Sequence, residues 1–222
     1  MFVRIFSCLL SLFAMTVAVA PAVNAQDENQ ILELRTYTLV NAEAEAKLDH
    51  YLEKALIPAL LRQGLGPIGA FDQAAEGEEV QVMLLIAGPS TEAVTGAAGK
   101  LAEDAEYVAA AAEYLNTPAK QPVVKRIRSE LLRSFDCWSK VTVSKQKEAD
   151  KPRLFELRIY ESPTEQLGDL KVEMFNAGEV PIFLDCDITP VFMGHALIGD
   201  KLPNLTYMTV YDDDASRQQA WK

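Results

Sequence analysis

Few side chains in this sequence are of the types that do chemistry, and their spacing argues for little of it. His195, in Met193-Gly194-His195 at the end of an extended run, could serve as a base or a haem ligand at a cavity mouth, or could be an ordinary turn or surface histidine. His50 falls on the polar side of an amphipathic helix and reads as solvated. Asp185-Cys186-Asp187 brings two carboxylates and a thiol together, but a calcium loop needs more oxygen ligands and a glycine, so no metal is expected. Asp212-Asp213-Asp214 is better explained as the acidic start of a helix, where carboxylates meet the positive end of the dipole. There is no Cys-x-x-Cys, His-Glu-x-x-His, P-loop or Gly-x-Gly-x-x-Gly, and no serine sits in a nucleophile elbow. What remains is a pair of polar clusters, Glu33, Arg35, Tyr37 and Glu156, Arg158, Tyr160.

Those clusters are one cluster written twice. Leu32 to Tyr37 and Phe155 to Tyr160 share Glu-Leu-Arg-x-Tyr at an offset of 123 residues. At the same offset Pro58 falls on Pro181, Leu61 on Leu184 and Pro67 on Pro190, so the domain is duplicated. His195 has no partner by this rule, since its counterpart is Asp72.

The elements that must position these residues follow from periodicity. Residues 31–40 alternate and predict a strand. Leu48, Tyr51, Leu52, Ala55, Leu56, Ala59 and Leu60 form one apolar helical stripe, which Pro58 should kink and Gly64 should stop. Short strands are expected over 66–71 and 80–87, a helical region broken near Asp104 over 91–115, and a fourth strand over 123–135. The order β-α-β-β-α-β is the ferredoxin-like arrangement. Lysine-rich residues 139–153 read as a linker. From 154 the pattern repeats: a strand over 154–160, a helix over 164–184 carrying Leu167, Leu170, Met174, Phe175 and Gly178 on its stripe, strands over 189–196 and 205–211, and the start of a helix.

The expected fold class is therefore α+β: two tandem ferredoxin-like domains, residues 27–138 and 154–222, with antiparallel sheets packed face to face. The second domain reads as truncated, lacking its last strand. Strand alternation suggests that Leu32, Leu34, Phe155 and Leu157 lie under the helices. The Glu-Arg-Tyr side would then face the space between the sheets, with a solvated cross-strand pair as the other reading.

Composition bounds the partners. The chain has 222 residues, 49% hydrophobic and 24% charged, with a formal charge of −11. That charge argues against nucleic acid and anionic membrane surfaces. Residues 1–25 read as a signal peptide: Arg4, an apolar run from Ile5 to Ala20, and Val23-Asn24-Ala25 before a cleavage point. An uncleaved anchor is the alternative, although the run is short for one. The mature chain is then expected to be exported, periplasmic or extracellular, and free of membrane. Cys8 leaves with the leader; Cys137 and Cys186 stay, either bridged or separately reduced.

The doubled Glu-Leu-Arg-x-Tyr strand, the Pro58 and Pro181 kinks, the Pro67 and Pro190 strand openings and Asp104-Ala105-Glu106-Tyr107 resemble the NIPSNAP family. That resemblance implies membership of the dimeric α/β-barrel superfamily. It implies little about activity, because most bacterial relatives have none assigned. Superfamily enzymes, among them small monooxygenases and haem proteins, use the cavity between sheet and helices. On that basis the candidate ligand-binding residues are Arg158, Tyr160, His195 and Tyr207, with His195 the weak catalytic candidate. The expected function is a non-catalytic module that binds a small molecule or a protein, without a cofactor; within the chain the two domains pair, and a homo-oligomer is open. The alternative is a monooxygenase-like enzyme acting on a small aromatic substrate.

Overall fold

The computed structural model describes residues 29–72, 79–149 and 151–222. The expected signal peptide lies outside the described residues.

The first half runs β1 (Ile31–Leu39), α1 (Glu45–Tyr51), α2 (Ile57–Arg62), β2 (Ile68–Asp72), β3 (Gln81–Gly88), α3 (Thr91–Leu101), α4 (Ala105–Ala110), α5 (Ala112–Leu115) and β4 (Val124–Ser134). A short helix α6 (Lys145–Glu148) interrupts the segment read as a linker. The second half is β5 (Leu154–Glu161), α7 (Glu165–Met174), α8 (Val180–Asp185), β6 (Thr189–Ile198), β7 (Asn204–Tyr211) and α9 (Asp214–Ala220). Local chemistry explains most boundaries. The Asn41, Ser90, Asp104, Thr164 and Asp213 side chains each accept from a backbone N–H three residues on. Gly64 takes φ +81°, a left-handed conformation that costs a glycine little, and stops α2.

The two prolines act in the same way. A wide π-turn, Leu52–Leu56, joins α1 to α2, and Ile57 N donates to Leu52 O, five residues back. Pro58 has no N–H to offer the next carbonyl, so the register shift takes up the missing bond. A second π-turn, Phe175–Glu179, precedes Pro181 at the matching place.

All strand pairs are antiparallel and the sheet order is β2-β3-β1-β4-β6-β7-β5. The expected α+β class with facing antiparallel halves is present, and the two halves are continuous with each other. The halves share one seven-stranded sheet, because β4 bonds to β6 edge to edge through Leu132↔Ala196, Arg133↔His195 and Ser134↔Gly194. That sheet curls on itself. Its end strands β2 and β5 meet through Phe71 and Phe155, whose ring centres are 4.7 Å apart. The inner faces of the halves thus still bury one another, with Leu32, Leu34, Leu85 and Leu132 against Phe192, Met208 and Val210.

One correction concerns which strand face is which. Phe155 and Leu157 join Leu32 and Leu34 in the inner cluster. Tyr37 packs instead among helix residues Leu48, Leu52 and Leu56, and Tyr160 against the helix-side cluster of the second half. The Glu-Arg-Tyr side therefore lies under the helices.

A further difference is in the helices of the second half. Leu167, Leu170 and Met174 are exposed, and of the predicted stripe only Phe175 is buried. Met174 matches Tyr51 by offset, and Tyr51 is covered by Tyr107 of α4 and Tyr114 of α5. Among the described residues no helix lies over α7 in the same way.

Candidate functional site

Each half carries its polar cluster between sheet and helices. On β1 the Glu33 carboxylate accepts a two-pronged bond from Arg35, Nε at 2.8 Å and Nη2 at 3.0 Å. Ser129 of β4 donates to the same carboxylate at 2.6 Å. Arg35 Nη1 reaches the Tyr37 hydroxyl at 3.4 Å, a weak contact. Burial works against the Arg35 charge, but Glu33 and Tyr37 together outweigh it and keep the guanidinium above its ordinary range. Burial raises the Tyr37 hydroxyl, and Arg35 offsets only part of that rise.

Above Tyr37 stands a group of three tyrosines from the helices. Tyr51 and Tyr107 share a hydroxyl–hydroxyl bond of 2.9 Å, and the Tyr51 and Tyr114 rings stack at 3.9 Å. Burial, then the bond to Tyr107, raises the Tyr51 hydroxyl strongly. Burial pushes Tyr114 up to about 12. Beside this pair a cleft of about 340 Å³ opens between α1 and α5, lined by Lys47, His50, Tyr51, Glu113 and Tyr114 among others. Arg35 and Tyr37 do not line it.

The second half repeats the pattern with a different closure. Glu156 accepts from Arg158 at 3.2 Å, from Arg217 at 3.3 Å and from Trp221 Nε1 at 2.9 Å. Arg217 belongs to α9 and Trp221 follows it, so α9 supplies here what Ser129 of β4 supplies in the first half. The Arg158 guanidinium lies 3.7 Å above the Trp221 ring, a cation–π contact. Arg158 Nη1 donates to Tyr160 at 3.3 Å, and the Tyr160 and Tyr207 hydroxyls share a 3.1 Å bond. Burial, then the bond to Tyr160, raises the Tyr207 hydroxyl. Phe175 and Phe183 pack around Tyr207, with ring centres 5.6 and 5.7 Å away.

Of the sequence candidates, Arg158, Tyr160 and Tyr207 are joined by hydrogen bonds, and His195, in register with Tyr160 across β7, is not bonded to them. His195 sits inside β6 opposite Leu205, half-buried, and the charges that reach it are those of Arg133, Asp169 and Asp136. Burial lowers its pKa first and Arg133 lowers it further, against the pull of the two aspartates. His50 is exposed, as expected, but at the rim of the cleft. Asp213 caps α9. Cys137 and Cys186 are both free thiols. Among the described residues no group of three or more His, Cys, Asp or Glu side chains could hold a metal, and no helix is long and apolar enough to cross a membrane. Sequence reading missed the Tyr51–Tyr107–Tyr114 group. Tyr51 was visible on the apolar stripe, but nothing in the sequence placed α4 and α5 over it.

Residues 155–222 match the NIPSNAP family model. The match covers the second half; the first half shares its strand signature and its π-turn before proline. A search of curated proteins found no match. Among solved structures, a candidate monooxygenase from Lactobacillus acidophilus NCFM superposes with TM-score 0.58 at 13% identity, over 87% of this chain and 82% of that one. A second candidate monooxygenase, from Fusobacterium nucleatum, gives 0.55 at 10% identity over 86% and 80%. An anthrone oxidase-like protein gives 0.51 at 11% identity over 87% and 77%. At these identities the likeness is one of fold: the two halves together form the curled antiparallel sheet of a dimeric α/β-barrel within one chain.

Proposed function

We propose that this protein, whose residues 155–222 match the NIPSNAP family model, is a non-catalytic module that binds a small planar, largely apolar ligand beside Tyr51 and Tyr114. One observation carries the reading. In both halves the polar groups under the helices are engaged by one another, and His195 is not among the hydrogen-bond partners of either cluster. A catalytic site needs a polar group that can meet substrate. The cleft offers instead an aromatic wall with Lys47, His50 and Glu113 at its rim, a composition suited to holding a ring and orienting it. Titration with naphthol-type ligands, followed by tyrosine fluorescence, tests it. Saturable binding that Tyr114→Ala weakens by about tenfold supports the reading, an amount in keeping with the loss of one aromatic contact.

The rival is a monooxygenase-like enzyme oxidising an electron-rich aromatic compound. It is favoured by the neighbours described as candidate monooxygenases and by Arg158 beside the Tyr160–Tyr207 pair, where a cation could steady an anionic phenol. Oxygen uptake that depends on an added phenol, or a Soret band in the purified protein, would favour this rival over the binding module. Export is part of the proposal too. The apolar run before Ala25 supports a leader, and a mature chain beginning at Gln26 is the expected mass-spectrometric result.

A further inference from the structure

The curled sheet leaves a slot where its two end strands meet. β2 bonds only to β3 and β5 only to β7, so the two strands close on each other through side chains rather than through a ladder. Between them lies a cavity of about 260 Å³, roofed by residues 141–144. Its apolar depth is made by Phe71, Leu85, Phe155 and Val191, all part of or packed on the inner core. Its other lining side chains include Lys147 and Arg153. The two cations are placed oddly for a chain of formal charge −11, because among the described residues no carboxylate pairs with either. The Arg153 guanidinium lies 5.8 Å from the Phe155 ring centre, and its Nη1 donates to the Lys151 carbonyl at 3.2 Å. Arg153 Nε is shielded from solvent, and no described residue offers it an acceptor. A shielded donor without an acceptor is costly, and an anion at that spot would relieve it.

We infer that this slot binds a small carboxylate with an apolar body, of the size of a medium-chain fatty acid or an arylalkanoate. The hydrocarbon would lie against Phe71 and Phe155, and the carboxylate would accept from Arg153 Nε with Lys147 beside it. Size decides against an extended peptide: the Phe71–Phe155 contact already closes the gap that an added strand would have to enter. The site is separate from the tyrosine cleft and does not depend on the function proposed there.

The test is calorimetric titration of the full chain with decanoate, below its micellar range, and with decanol. Saturable decanoate binding is expected, weakened about tenfold in Arg153→Met and about tenfold for decanol on the unaltered protein, as loss of one charged hydrogen bond implies. Tyr114→Ala should leave decanoate binding unchanged, which keeps failure here distinct from failure of the cleft. Equal affinity for decanoate and decanol, or no saturation with either, overturns the proposal. So does protection of β2 amides from hydrogen exchange that grows with protein concentration without ligand, because the occupant would then be a second copy of the chain.

Discussion

Replacing Arg35 by alanine leaves the Glu33 carboxylate nearly enclosed, with Ser129 as its remaining side-chain partner. An enclosed charge stripped of its counter-ion is expensive, so the variant should lose about 3 kcal/mol in urea unfolding. Arg158→Ala is the informative comparison. Glu156 keeps Arg217 and Trp221, and Arg158 is 28% exposed on its outer side, so the loss should be nearer about 1 kcal/mol. Equal losses would mean that the two clusters are equivalent despite their different closures. The tyrosines add an alkaline prediction. Tyr37, Tyr51, Tyr114 and Tyr207 hold their protons more tightly folded than unfolded. Their stabilisation is whole below the unfolded value of about 10 and drains away as pH rises toward the folded values. The urea midpoint should therefore fall steadily above about pH 10, and Tyr114→Phe should flatten the part of that fall between about pH 10 and 12. His195 works at the other end. Its folded pKa is depressed by burial and by Arg133, against Asp169 and Asp136, so it stabilises the fold above the unfolded value and costs stability as pH falls below about 6.5. His195→Asn should flatten that limb of the midpoint-against-pH curve.

Among the elements, the π-turns before Pro58 and Pro181 are the informative ones. A proline inside a regular helix costs about 3 kcal/mol because it removes a bond and its ring strikes the preceding turn. Here the Ile57 N–H already reaches Leu52, so the backbone has absorbed the change. Pro58→Ala should shift stability by less than about 1 kcal/mol, and a loss of several would mean that the ring itself is a packing contact. The helices of the two halves also show how much an element's burial depends on its neighbours. At one repeat position Tyr51 is buried beneath α4 and α5, and at the matching position Met174 lies open.

For the molecule as a whole the junction of β4 with β6 is decisive, because there the two halves become one sheet. Gly194 lies in that junction, and a Cβ there would meet the Arg133 carbonyl oxygen at 3.0 Å and Leu132 Cβ at 3.2 Å. Neither atom belongs to a flexible side-chain end. Gly194→Val should therefore force the strands apart, lower stability by about 2 kcal/mol and separate unfolding of the halves into two transitions. One sharp, unshifted transition would show that the inner apolar core, rather than the shared ladder, holds the halves together.

Duplication was legible as a repeated motif, and element order, the acidic start of α9 and the positions of both proline irregularities were legible because each is written in residues close together along the chain. The 123-residue offset even placed α9 as the start of the helix that α3 begins in the first half. Alternation along β1 separated Glu33, Arg35 and Tyr37 from Leu32 and Leu34, but period two is blind to what lies on either side. Only tertiary packing decided that the polar side goes under the helices. Edge pairing of β4 with β6, the tyrosine group and the slot between β2 and β5 likewise join residues far apart in sequence. No local pattern encodes such meetings; they arise when the sheet curls to bury its apolar face.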